Sequence, residues 1–194
     1  SVMTGGTLHV ENFDGDFSPT GGVVAPGNSP GIMTIAGDFT PTSGAILEIE
    51  LAGPAGGTQY DQLIVTGAAD LGGDLDAQLL DGFLPQVGDL FAILFAGDVS
   101  GQFDSIPVPE VGGLRWELNY GANNVILEAL AAVEGDFDFD GDVDGEDLTG
   151  PVTGLMSRFG NDVGGRDFLG WQRELGSGPA AATSLTAVPE PTAL

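Results

Sequence analysis

Gly15-Asp-Phe-Ser-Pro-Thr-Gly-Gly-Val-Val24 returns 22 residues later as Gly37-Asp-Phe-Thr-Pro-Thr-Ser-Gly-Ala-Ile46, and the reading of this pair decides the fold. A period of that size is one coil of a parallel β-solenoid, in which each coil buries its apolar face only against its neighbours. The same pair also fits two similar Pro-Thr-Gly bends in a β-sandwich. Two copies are fewer than the three coils a solenoid needs, so solenoid and sandwich both stay open. Around the repeat, helical periodicity is missing and apolar residues alternate instead. Leu47/Ile49/Leu51, Leu63/Val65, Leu75/Ala77/Leu79, Leu114/Trp116/Leu118/Tyr120 and Val125/Leu127/Ala129 each point every second side chain to one face. Residues 1–132 therefore read as one all-β domain, with Gly121-Ala-Asn-Asn124 as a hairpin turn.

Two segments of that domain are unusual. Residues 1–24 read as a Gly-rich extended arm whose one apolar alternation is Leu8 and Val10. Such an arm buries little alone, but laid on a neighbour's open edge it gains a ladder of main-chain hydrogen bonds. In Leu90-Phe-Ala-Ile-Leu-Phe95 both alternating sets are apolar. That strand is expected to lie between two layers or to face a partner.

Beyond residue 133 the pattern changes. Asp136-Phe-Asp-Phe-Asp-Gly-Asp-Val-Asp-Gly-Glu-Asp147 has the spacing of a calcium loop, which needs oxygen ligands at positions 1, 3, 5, 7, 9 and 12 and glycine at 6. Asp136, Asp138, Asp140, Asp144 and Asp147 supply carboxylates, Asp142 supplies its backbone carbonyl, and Gly141 makes the turn. Val143, at position 8, is the apolar plug that turns inward. Carboxylates crowded this closely repel by about 1 kcal/mol per pair at 4 Å even in water, and a hard divalent cation converts that repulsion into binding. A solvated acidic run would not place Gly and Val at those two positions. One Ca²⁺ is expected, with Mg²⁺ the alternative, because Asp at position 12 gives a tighter loop than Glu.

Asp at that position, followed by the stripe Leu148, Val152, Leu155, Met156 and Phe159, resembles the dockerin type I repeat of extracellular proteins. The resemblance implies a small α-helical, EF-hand-like calcium module over residues 133–176, although Gly150-Pro151 interrupts the stripe. A second, worn copy puts Met156, Arg158 and Gly160 at positions 1, 3 and 5, so its site is expected to be empty and kept for packing through Phe168, Trp171 and Leu175. Separately, Ala25-Pro-Gly-Asn-Ser-Pro-Gly31, Leu47-Glu-Ile-Glu-Leu51, Tyr60-Asp-Gln-Leu-Ile-Val-Thr-Gly67 and Gly101-Gln-Phe-Asp104 resemble the autotransporter-associated β-strand region of large bacterial surface proteins, which implies a scaffold without catalytic residues. Val188-Pro-Glu-Pro191, behind the Gly/Ala/Ser/Thr linker in residues 177–194, resembles the tetrapeptide of PEP-CTERM sorting tails. That family implies export to the cell surface of a Gram-negative-type bacterium.

Composition agrees with an extracellular reading. The chain has 194 residues, 29 of them acidic and only 4 basic, for a net charge of −25. Such a surface excludes nucleic acid and anionic membrane as natural partners. There is no Cys for a disulfide, a thiol nucleophile or a thiolate metal site. No apolar run reaches the length of a membrane span, and because the chain begins at Ser1 a signal peptide is expected to have been removed or left out. His9 is the single histidine, no Ser-His-Asp set or phosphate loop is present, and an enzyme is not expected. The expected function is a structural cell-surface or matrix subunit, stabilised by calcium and assembling into filaments by N-terminal strand exchange between copies. The alternative is a binding module that docks a cohesin-like protein or a polysaccharide.

Overall fold

A computed structural model of the chain describes residues 1–109 and 111–133 and, singly, Val143, Gln172 and Leu175. Two units divide the chain, Ser1–Ala131 and Ala132–Leu194. Within the first, strands follow one another as coils. The first coil is β1 (Thr4–Val10), β2 (Asn12–Asp14) and the bridge residue Phe17. The second is β3 (Gly21–Pro26), β4 (Ile32–Ala36) and Phe39. The third is β5 (Ala45–Leu51), β6 (Gln62–Val65) and β7 (Ala68–Leu71), and the fourth β8 (Asp74–Leu79), β9 (Leu90–Phe95) and β10 (Asp98–Gly101).

Like strands of successive coils pair in parallel. One sheet runs β1-β3-β5-β8, a second contains β2-β4-β6-β9, and a third joins β7 to β10. Residues 104–108 extend the first sheet, since Leu75 N donates to Ser105 O and Ala77 N to Pro107 O. The described architecture is thus a three-sided parallel β-solenoid. β11 (Leu114–Tyr120) and β12 (Asn124–Ala131) form an antiparallel hairpin through the Gly121–Asn124 turn, and β12 pairs antiparallel with β9. Trp116, Leu118 and Tyr120 of the hairpin pack against the core at this end.

Parallel register stacks identical environments, so the interior is built of vertical ladders. Leu8, Val24, Leu47 and Leu75 sit one above another in the first sheet. Met33, Leu63 and Leu94 do so in the second, and Phe17, Phe39, Ala69 and Val99 in the third. Phe39 is fully buried and its ring centroid lies 6.0 Å from that of Phe17. Each coil contributes little area alone, which is why burial and stacking stabilise only together.

The corner before the third sheet fixes the spacing. Gly15, Gly37, Gly67 and Gly97 form a column in which Gly67 N donates to Gly37 O at 3.0 Å and Gly97 N to Gly67 O at 2.8 Å. A Cβ on Gly37 would stand 2.5 Å from the carbonyl carbon of Gly15 and 2.7 Å from Asp16 N. No side chain fits between backbones that close. The sequence repeat is therefore a coil-to-coil step of 22 residues, and it continues, unrecognised from sequence, at a step of 30.

Two expectations are corrected. The first is the fold class, a β-domain followed by an α-helical EF-hand or dockerin-like module: the described residues are mainly β, with no helix among residues 1–109 and 111–133. Helical spacing alone does not specify a helix where Gly150-Pro151 removes an amide donor and frees the backbone; most of residues 133–176, that stripe included, lie outside the described residues. The second concerns residues 1–24. They are not a free arm, because β1 pairs with β3 from Thr4↔Gly21 to Val10↔Pro26 and forms the first coil.

Gly37→Ala is expected to destabilise the solenoid by roughly 3 kcal/mol, since the added methyl must push coils apart. Gly112→Ala, where a Cβ meets nothing within 4 Å, is expected to change stability by less than about 0.5 kcal/mol. Urea unfolding of the two variants checks both.

Candidate functional site

The six acidic positions of the expected calcium loop, Asp136, Asp138, Asp140, Asp142, Asp144 and Asp147, lie outside the described residues. Val143 in their midst is described, and it is fully buried. Leu175, expected to pack beneath the second copy, is 47 % exposed. Phe168 and Trp171 lie outside the described residues, as does the 177–194 tail. Among the described residues no three His, Asp or Glu side chains stand close enough together to hold a metal ion. Within the same limits no helix is long and apolar enough to cross a membrane.

What the solenoid does bring together is a polar knot at the corner between the first and second sheets. The chain leaves β5, bends through residues 52–61 and enters β6. Asp61, at the end of that bend, is 1 % exposed. Its Oδ1 accepts from Gly31 N at 2.6 Å and its Oδ2 from Glu50 N at 2.9 Å. One carboxylate thus joins the second coil to the third. The flanking residues extend the tie to the fourth coil, where Tyr60 Oη accepts from Ala92 N at 3.3 Å and Gln62 Nε2 donates to Ala92 O at 2.9 Å. Burial pushes the Asp61 carboxyl up to about 6, its two amide donors pull the other way, and Glu50 and Glu48 add a smaller upward push.

Beside the knot opens a groove of about 400 Å³ lined by Glu11, Asn12, Asn28, Gly31, Ile32 and Thr34 among others. Across it Asn28 Nδ2 donates to Glu11 Oε1 at 3.4 Å. Outside the first sheet, Glu48 and Asp76 are register neighbours and Gln78 Nε2 donates to both, at 3.2 and 3.0 Å. Partial burial, then Glu50 and Asp76, raise the Glu48 carboxyl, with His9 pulling it down. His9 is exposed on β1.

Asp61 went unnoticed in the sequence as a functional or structural residue. The available signal was an acid set directly before the apolar strand Leu63/Val65, where a strand start needs no charge. Strand β9 carries a second device. Its pairing with β12 shifts register between Val125 and Ile126, so that Ile93 and Leu94 are both buried and Phe95 turns outward. A bulge of this kind re-aims the side chain after it. The bulge accounts for the adjacent buried pair Ile93 and Leu94, while Leu90, 56 % exposed, is apolar on the outward side without it.

No protein-family model matches the chain, and a search of curated proteins finds no match.

The pH response follows from the knot. Asp61 and Glu48 bind a proton more tightly folded than unfolded, so stability falls as pH rises from 3.8, the ordinary value for Asp, to about 6 for Asp61, and is level above that for this group. Asp61→Ala is expected to flatten that slope. It also leaves two buried amides without acceptors, at a cost of about 2–4 kcal/mol. Thermal midpoints of both proteins across this pH range read out the two effects, and a midpoint that climbs with pH only in the parent chain contradicts the first.

Proposed function

We propose that this chain is a structural subunit of an extracellular or cell-surface assembly of a Gram-negative-type bacterium, calcium-stabilised and without catalytic activity. The observation that carries the reading is the stack of parallel coils whose first members, β1 and β2, stand at sheet edges. An edge strand offers unpaired N–H and C=O groups, and soluble proteins blunt such edges with Lys, Pro or a covering element. This chain has no Lys at all. Contact between copies runs through the first coil, either by stacking on a neighbour's edge or by exchange of β1 between copies. Repeated head to tail, such a contact gives a filament because it does not close.

The acidic loop supplies the metal dependence. Asp136, Asp138, Asp140, Asp142 through its carbonyl, Asp144 and Asp147 hold one Ca²⁺, with Mg²⁺ as the competing ion. Burial of Val143 supports this, since position 8 of such a loop turns inward. Dockerin-like loop chemistry, an autotransporter-type β-region and a PEP-type tail agree in pointing outside the cell. Calcium also offsets a charge of −25 that opposes close approach of copies.

A second reading rests on the groove at Glu11, Asn12, Asn28 and Thr34. Amide, hydroxyl and carboxylate groups together suit a hydroxyl-rich polysaccharide, which would make the protein a binding module; a cohesin-like protein partner belongs to the same reading.

Calorimetry on the full chain is expected to give one Ca²⁺ per chain, lost on joint Asp138→Asn and Asp140→Asn substitution. Electron microscopy is expected to show filaments with calcium, and their loss when Thr7→Lys guards the β1 edge. A chain that stays monomeric with calcium, while binding a soluble polysaccharide that Asn28→Ala abolishes, gives the second reading instead.

A further inference from the structure

The outer face of the second sheet carries an apolar patch on β6, β9 and β12, with Ile32 of β4 set apart from it by Gln62. Ile32 of β4 is 38 % exposed, Phe95 39 % and Leu90 56 %. Ile64 of β6 pairs with Phe95, and Ile126 of β12 with Ala92, so with Leu90 these side chains form one patch, bordered by Thr34, Gln62 and Glu128. The bulge in β9 that turns Phe95 outward completes the patch. On the other two sides the outward positions are acidic: Glu48, Glu50, Asp74 and Asp76 on the first sheet, Asp70 and Asp98 on the third. In a chain of net charge −25, the centre of this sheet is, among the described residues, the surface with fewest carboxylates, Glu117 and Glu128 standing at its border.

We infer that this face is a homodimer interface, its occupant the same face of a second copy. The rim says why the partner is a copy. Arg115 is the only Lys or Arg among the described residues. It lies on β11 at the border of the patch, 3.2 Å from Glu117 Oε2, and its Nε is buried without a hydrogen-bond acceptor. Glu128 stands nearby, accepting from Asn119 Nδ2 at 3.0 Å. A border carrying both signs beside an apolar centre is self-complementary, as a two-fold contact requires. Strands about 4.8 Å apart give five of them a footprint of about 20 Å by 20 Å. Counted on both copies that is about 800 Å², below the range of stable interfaces, so association is weak, reversible and concentration-dependent. The inference is separate from the end-to-end contact proposed above, because it uses a sheet face and not the β1 and β2 edges.

The chain's lack of cysteine makes the test direct. In a full-length Thr7→Lys background, which removes the end contact, Ile64→Cys is expected to give disulfide-linked dimers under mild oxidation many-fold faster than Asp76→Cys on the acidic first sheet. Sedimentation of the Thr7→Lys protein should show a monomer–dimer equilibrium, shifted at least tenfold toward monomer by Phe95→Asp with an unchanged thermal midpoint. Equal cross-linking at the two positions, a Thr7→Lys protein that is monomeric at every concentration, or a dimer indifferent to Phe95→Asp overturns the inference. If Phe95→Asp fails to fold, the cross-linking comparison decides alone.

Discussion

Close approach of backbones at one corner is the constraint on which the rest of this solenoid depends. Where Gly37 lies over Gly15 and Gly67 over Gly37, main chain touches main chain and sets the rise from coil to coil. That rise brings Phe39 onto Phe17 and lets each corner carboxylate reach the coil above. Asp16 Oδ1 accepts from Asp38 N at 3.0 Å, and Asp38 Oδ1 accepts from Ala68 N at 2.8 Å. Stacked carboxylates repel one another, by about 1 kcal/mol at 4 Å in water. Each amide bond made to a charged acceptor returns roughly 1.5–3 kcal/mol, so the column of acids is sustained by the stacking that creates it.

The parts legible in sequence were those whose signal is local. Alternation located most strands, the Gly121–Asn124 turn located the hairpin, and the 22-residue match located the first coil-to-coil step. The next steps went unread because the spacing widened and the Phe of Gly-Asp-Phe became Ala69 and then Val99. Gly67-Ala-Ala and Gly97-Asp-Val keep the glycine, which is the part the geometry needs. Asp61 was illegible for the opposite reason: its partners, Gly31 and Glu50, are backbone amides, and backbone amides leave no trace in composition. The proposed calcium loop rests on spacing alone, its acidic residues lying outside the described ones. The helical module drawn from resemblance was an inference of a weaker kind, because a stripe broken by Gly150-Pro151 does not constrain the backbone as a loop of ligands does.

The molecule divides its surface by chemistry. Acids crowd the first and third sheets, the second is bare of them at its centre, and the knot at Asp61 holds the corner between the first and second. A solenoid permits such a division because outward side chains in register repeat from coil to coil, so one residue type accumulates along one side.

The coils do not all have the same length, and the difference sits at one place. Turns into and out of the third sheet stay short throughout, whereas the bend between the first and second sheets grows from Glu11 alone, to residues 27–31, to the equally long 52–61 and 80–89. Lengthening a surface loop costs only about 0.6 kcal/mol per doubling. Away from Gly31, Tyr60 and Asp61, this corner is accordingly where the protein can gain new surface without disturbing any ladder. A foreign peptide grafted there would be displayed as a fringe along one flank of the coil stack, with the register beneath it untouched.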